Sequence, residues 1–373
     1  MSGTLSLYAV TAPGLELLAA AELEALGLPP SGIEPGGVSF SGTLLDLARA
    51  NLWLRTASRV LLRLGSFRAR ALGELERKSG ELPWQAWLPP GARITVRVTS
   101  RKSRLFHQKA IGERIARAAR GQSGPQSDDT TAPELVVVRL LRDECLVSLD
   151  SSGELLHRRG YRLQTGKAPL RETLAAALIL ASGWWPEQPL VDPFAGSGTI
   201  PIEAARIARR LPPGLDRAFA FRRWSAWDDR EWRTLVDAAR AASLARAPAP
   251  IVAADRDAGA VAAGRENAGR AGVLNDVEFR EAALSSLAFP ESSGAVVTNP
   301  PYGVRVGASR QLRDLYARLG QVALRLRDWS VTMLVPGHPF ERATGLPFRE
   351  LFRTTNGGLL VRALHWRGVE VDA

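Results

Sequence analysis

The chain reads as an α/β protein in which a carboxy-terminal, doubly wound and largely parallel sheet follows a smaller α+β amino-terminal region. Three observations predict this. From near residue 165 onward, short apolar runs alternate with helical patterns, as in PLVDPFAG, IVAADRD, VEFREA, GAVVTNPPYG and SVTMLVPG, and that alternation argues for parallel strands joined by crossover helices. Further upstream, Ile94, Val96 and Val98 alternate with Arg93, Thr95 and Arg97, the period of a half-buried strand. Finally, 373 residues are more than one hydrophobic core usually accommodates.

The first segment predicts a strand over TLSLYAVTA, a helix over GLELLAAAELEAL, a strand near GGVSFSG and a helix over TLLDLARANLWL. Leu15, Leu18, Ala19, Glu22 and Leu26 follow helical spacing and Gly27 supplies a stop. From residue 59 come a strand, a helix-like stretch to Trp87, the strand ARITVRVTS and a basic helix in RKSRLFHQKAIGERIARAA. LVVVRLLRDECLVSLD reads as a hairpin. The Gly- and Arg-rich stretch up to KAPL reads as a linker. This divides the chain into 1–58, 59–152, a linker over 153–168, and 169–373, the last closing on two strand-like runs around Asn356-Gly357.

Composition narrows the function classes. Hydrophobic residues are 45% and charged residues 23% of the chain, the mixture of a globular protein rather than a disordered one. No run approaches the length of a membrane span and the start lacks a signal peptide's flank, so a cytoplasmic location is expected. The single cysteine, Cys145, and four scattered histidines give no metal-ligand spacing, and no metal is expected. Residues 59–167 carry 21 Lys or Arg against 11 Asp or Glu, nearly all of the net charge of +11. A basic segment suits a polyanion such as nucleic acid, although 45 Arg beside 4 Lys also fits a coding bias and solvated faces. The motifs have to decide.

The strongest of them is Asp192-Pro193-Phe194-Ala195-Gly196-Ser197-Gly198-Thr199, placed between an apolar strand and a helix. Its glycines permit a tight turn and close backbone approach to a ligand. A phosphate loop would end in Gly-Lys-Ser/Thr, and this one has no lysine, so a nucleoside pocket is the better reading. One βα unit later Asp255 ends the run Ile251–Ala254, where a carboxylate can accept ribose hydroxyls. Asn299-Pro300-Pro301-Tyr302 then follows the run Ala295–Thr298. The Asn299 side-chain oxygen and the Pro300 carbonyl are suited to accept both N–H groups of an exocyclic base amine, with Tyr302 stacking on the base.

HRRGYR (157–162), APLRETLAAAL (168–178), DPFAGSGTIPIEAA (192–205), FRRWSAWDD (221–229), ADRD (254–257), NPPYG (299–303) and NGGLL (356–360) resemble the class I amino-methyltransferases. The match is closer still to the THUMP-domain RNA guanine-N2 methyltransferases. That resemblance implies a ferredoxin-like unit, an RNA-gripping THUMP domain and a Rossmann-like methyltransferase domain using S-adenosylmethionine. It implies cofactor contacts from Asp192, Pro193, Phe194, Gly196, Ser197, Gly198, Thr199 and Asp255, and amine binding by Asn299, Pro300, Pro301 and Tyr302. VTSRKSRLFHQKAIGERI becomes the THUMP strand–turn–helix, with Arg101, Lys102, Arg104 and Lys109 as RNA contacts. One departure is Glu281-Ala282-Ala283, where the family's acidic residue for the adenine amine is displaced or missing.

The expected partner is structured RNA, ribosomal or transfer, and the ribosomal branch is the nearer in HRRGYR, APLRETL and FRRWSAWDD. DNA adenine-N6 methylation and a non-catalytic RNA-binding assembly factor are the competing readings. The aromatic, basic stretch FAFRRWSAWDDREW suits base stacking and a packed flap equally.

Overall fold

The computed structural model describes residues 3–123, 132–162, 170–302, 309–326, 328–336 and 339–368. Seven amino-terminal strands are β1 (Leu5–Val10), β2 (Pro30–Glu34), β3 (Gly37–Gly42), β4 (Arg59–Arg68), β5 (Ile94–Arg101), β6 (Glu134–Leu141) and β7 (Glu144–Asp150). They form one sheet in the order β2-β3-β1-β4-β7-β6-β5. Strand β4 pairs antiparallel with β1 on one side and β7 on the other, so the sheet runs unbroken across residue 58. Helices α1 (Glu16–Ala25) and α2 (Leu44–Trp53) accompany the first half. The second is started by a capping box in which Thr43 and Asp46 satisfy each other's backbone N–H. Helices α3 (Leu72–Gly80), α4 (Trp84–Trp87) and α5 (Gln108–Ser123) belong to the second half, where α5 lies between the parallel strands β5 and β6.

The carboxy-terminal sheet contains β8 (Leu190–Asp192), β9 (Ile251–Asp255), β10 (Glu278–Glu281), β11 (Ser293–Thr298), β12 (Asp328–Pro336), β13 (Arg349–Asn356) and β14 (Leu359–Arg367), in the order β10-β9-β8-β11-β12-β14-β13. Strands β8 to β12 are parallel and β14 runs against β12. The chain first builds outward from β8 through β9 to β10, then returns to lay β11 on the other flank of β8. The strand order therefore reverses between β8 and β11, and ligands of open α/β sheets bind at such a point. Helices α6 (Glu172–Ala181), α7 (Thr199–Ala208), α8 (Asp229–Ala241), α9 (Ala258–Arg270) and α10 (Ser309–Arg325) complete the domain. Leu190, Val191 and Ile251 to Ala254 are all buried, which is why these strands read as unbroken apolar runs.

The aromatic insertion is a packed flap. Phe219, Phe221, Trp224 and Trp232 are buried in the amino-terminal core, beside Leu52, Leu82 and Trp87. Trp224 meets Trp87 edge to face at 5.9 Å, its Nε1–H donates to Glu134 at 3.3 Å, and Arg223 bridges to the same carboxylate at 2.6 Å. Gly214 passes so close to Asn51 and Leu52 that a Cβ there would lie 2.8 Å from a backbone oxygen. The rings are therefore unavailable for base stacking.

Residues 153–162, expected as linker, are also packed where described. Arg159 donates to the backbone carbonyls of Leu156 and Arg55, both at 2.7 Å, and Tyr161 donates to Glu203 at 3.0 Å. Residues 163–168 of that stretch lie outside the described residues. Among the described residues no helix is long and apolar enough to cross a membrane.

Candidate active site at the strand switch point

Strand β8 ends in Asp192, and the chain then turns sharply into α7. Gly196 and Gly198 have φ of +51° and +84°, left-handed values that L side chains adopt only with strain. The two glycines serve different ends. A Cβ on Gly196 would enter open space in front of the turn, whereas one on Gly198 would press on Phe279, Gly264 and Ile202 at 3.2–3.3 Å. Gly196 thus opens a cradle and Gly198 lets α7 pack closely on α9 and β10.

The cradle is braced from three sides. Gly196 N–H donates to Asp255 Oδ2 at 2.9 Å, Asn267 Nδ2–H donates to the Ser197 carbonyl at 3.0 Å, and Ala195 N–H donates to the Ala254 carbonyl at 2.9 Å. Phe194 packs on the core around Leu284, Tyr316 and Met333, and Thr199 opens α7. Asp255 also accepts the Asp257 N–H through Oδ1 at 3.0 Å. Each of its oxygens retains a lone pair for a ribose hydroxyl. Glu281 stands opposite Asp255 in the β10–β9 register and is exposed at the same strand edge.

Asp192 is 1% exposed. Its Oδ1 accepts from Phe194 N–H at 3.1 Å and from the Thr298 hydroxyl at 2.6 Å. Burial pushes its carboxyl up to about 7, with repulsion from Asp255 adding to the rise and the two hydrogen bonds opposing it.

On the neighbouring strand, β11 ends at Thr298 and Asn299-Pro300-Pro301-Tyr302 follows. Pro300 is buried and Pro301 exposed, with Asn299 and Tyr302 between. The Tyr302 hydroxyl donates to Asn299 Oδ1, which fixes the oxygen end of that amide and leaves its second lone pair available. Burial pushes the Tyr302 phenol upward, and a hydrogen bond from Asn356, at the tip of the β13–β14 hairpin, offsets part of this. Tyr302 packs against the carboxy-terminal core rather than standing free to receive a base.

Sequence reasoning located both turns but missed Thr298, Asn267 and Asn356. A threonine ending a strand and an asparagine inside a helix have no distinguishing spacing. Only NGGLL (356–360), noticed by resemblance, pointed near the third.

Arg101, Lys102, Arg104 and Lys109 come together in the other sheet's domain, at the turn from β5 into α5, and all four are exposed. The turn is held by Asp143, which accepts Arg104 N–H at 2.8 Å, and by Ser103, which accepts Asp143 N–H at 3.0 Å. Among the described residues none of the four cations is in an ion pair, so they remain available to phosphates.

Comparison with known proteins shows where this arrangement occurs. Residues 159–358 match the RMKL-like methyltransferase domain, residues 6–61 the RlmL ferredoxin-like domain and residues 69–150 the THUMP domain. The chain belongs to the THUMP-containing RMKL-like methyltransferase family. It is 37% identical to YpsC of Bacillus subtilis (strain 168), a candidate RNA methyltransferase, over 93% of this chain and 92% of that one. It is 35% identical to the ribosomal RNA large subunit methyltransferase K/L of Syntrophotalea carbinolica, over 98% of this chain but 54% of that longer protein. Among solved structures, SMU.472, a candidate methyltransferase complexed with SAH, superposes with a TM-score of 0.91 at 32% identity over 100% of both chains. TrmN of Thermus thermophilus shares the fold at a TM-score of 0.73 and 24% identity, over 98% of this chain and 100% of that one.

The methyl donor of this family, S-adenosylmethionine, fits the residues present. The open face at Gly196 leaves room for a ligand against the backbone, and Asp255 would offer acceptors for its ribose.

Proposed function

We propose that this methyltransferase transfers a methyl group from S-adenosylmethionine to the exocyclic N2 amine of a guanine in structured RNA, with large-subunit 23S ribosomal RNA as the substrate. The observation that carries the reading is the meeting of two turns. The glycine turn after β8 and the Asn299–Tyr302 turn after β11 leave adjacent parallel strands at the switch point and are joined by the Asp192–Thr298 hydrogen bond.

An exocyclic amine is a poor nucleophile because its lone pair is delocalised into the ring. Asn299 Oδ1 and the Pro300 carbonyl accept its two N–H bonds, which concentrates density on nitrogen and aims the lone pair. Pro300 and Pro301 remove backbone donors from the turn, so neither of those residues offers an N–H that would compete for the acceptors. When bound, the cofactor supplies an electrophilic sulfonium methyl. Formation of the N–C bond would be matched by cleavage of the methyl–sulfur bond, its electron pair returning to sulfur to leave a neutral thioether, and one N–H proton would leave past the two acceptors to solvent. The residues' contribution is alignment, which is worth several orders of magnitude in rate.

RNA as substrate is supported by the THUMP match and the exposed cations of the β5–α5 turn, large-subunit ribosomal RNA by the K/L relatives, and guanine N2 by the family resemblance of the sequence motifs. Transfer RNA is the nearest alternative. A second reading has an observation of its own: a Listeria monocytogenes structure named a predicted N6-adenine-specific DNA methylase superposes at a TM-score of 0.91 and 34% identity, over 98% of this chain and 97% of that one.

The test supplies labelled donor to RNA from a strain lacking the gene and to duplex DNA, then maps the labelled nucleotide. Label on a guanine of 23S RNA is the expected result. Label confined to transfer RNA or to DNA adenine would replace the substrate proposed above.

A further inference from the structure

Among the described residues, no backbone hydrogen bond joins the two turns at their roots. Strands β8 and β11 pair through Leu190–Ala295 and Val191–Val296; beyond that register Asp192 still pairs with Ala253 of β9, and Val297 and Thr298 with Thr332 and Met333 of β12, but the two strands no longer pair with each other. On the β11 side the prolines at 300 and 301 have no N–H with which to anchor the turn. What joins the loops is a side-chain contact: Thr298, 0% exposed, donates its hydroxyl to Asp192, 1% exposed, at 2.6 Å. The accepting oxygen also receives Phe194 N–H of the glycine turn. One atom therefore holds the cofactor turn to itself and to the residue that immediately precedes Asn299.

We propose that Thr298 is a positioning residue, whose hydroxyl bond to Asp192 sets the amine-binding turn at its working distance from the cofactor turn and couples occupancy of one to the geometry of the other. The inference rests on reading these turns as the donor and acceptor sites, but not on which nucleic acid is methylated. Methyl transfer needs sulfur, methyl carbon and nitrogen in line, and small misplacements are costly there. Coupling is reciprocal: a ligand that favours the ionised Asp192 strengthens the Thr298 bond, and loss of the bond weakens that ligand.

Thr298→Val keeps the shape and removes the donor, while Thr298→Ser keeps the donor and removes the methyl group. Three quantities are compared: the single-turnover methylation rate at saturating RNA and donor, RNA affinity, and the pH dependence of S-adenosylhomocysteine binding by calorimetry. In T298V the rate is expected to fall roughly tenfold or more with RNA affinity unchanged. The Asp192 carboxyl, pushed up to about 7 in the native protein, should rise further in T298V because it has lost a hydrogen bond to its charged form, and the expected result is an upward shift of the pH midpoint of S-adenosylhomocysteine binding. T298S is expected to retain both properties.

A T298V protein with native rate and native pH midpoint overturns the proposal. So does a T298S protein impaired to the same degree as T298V, since packing of the methyl group would then be the cause. If valine prevents folding, T298C is measured against the same criteria, its thiol being a weak donor of similar size. The calorimetric readout needs no RNA, so a wrong substrate assignment would leave it unaffected.

Discussion

Asn299 and Asp192 bear opposite relations to the cofactor, and substitutions should separate them. Asn299→Ala removes the proposed acceptor of the target amine but none of the braces of the glycine turn, which come from Asp255, Asn267 and Ala254. Methylation should fall at least about a hundredfold, the usual scale for losing one such aligned group, while S-adenosylhomocysteine binds as before. Full activity would remove Asn299 from the mechanism. Asp192 is a fully buried carboxyl raised to about 7 from an ordinary value of 3.8. A carboxyl whose folded value is raised contributes stability that is complete below its unfolded value and is lost as pH rises through the folded one. The cofactor-free protein should thus lose stability from Asp192 between about pH 4 and 7, on the order of 4 kcal/mol at most. Asp192→Asn should flatten that part of the difference in denaturant unfolding between pH 5 and pH 8. An unchanged difference would mean that Asp192 stays ionised throughout.

Elements determine which side chains meet. The strand–helix alternation of the carboxy-terminal half was legible because strands buried on both faces appear as short apolar runs, and the two turns were legible because each sits where such a run ends. The contacts that brace those turns were not. Thr298 and Asn267 depend on which strands and helices become neighbours, a property of the crossover order that no local pattern encodes. The insertion shows the same limit, since a core and a base-stacking surface draw on the same aromatic residues, and only the burial of Trp224 and Trp232 against Trp87 and Leu52 distinguishes them. Helix α9 provides a test at this scale. A Cβ on Gly264 would lie 2.6 Å from the Phe279 ring, so Gly264→Val should cost about 1–3 kcal/mol by overpacking. It should also weaken S-adenosylhomocysteine binding by moving Asn267 from Ser197. Thermal unfolding with and without the ligand measures both effects, and a native response would show that the helix has room to shift.

Across the whole molecule, the amino-terminal ferredoxin-like and THUMP region and the methyltransferase domain are joined by packing. The insertion from the carboxy-terminal domain is buried in the amino-terminal core, and in the other direction Gly14 meets β13 so closely that a Cβ would lie 1.9 Å from the Arg353 carbonyl oxygen. Replacing Arg101, Lys102 and Arg104 together should weaken RNA binding and reduce the slope of log affinity against log salt by roughly one for each phosphate that is no longer neutralised. S-adenosylhomocysteine affinity should not change. An unaltered slope in a filter-binding or anisotropy titration would remove this turn from the RNA footprint.

That mutual burial makes the molecule a caliper. On the reading proposed above, one jaw would be the basic turn between β5 and α5 and the other the pair of loops at the switch point, with the buried insertion between the two domains expected to resist a change in their spacing. An RNA would then be chosen by the span between the feature it presents to the first jaw and the base it presents to the second. Adding or deleting two or three base pairs between them should abolish methylation of an otherwise unaltered target sequence, and methylation that persists at the same base would show that the jaws move.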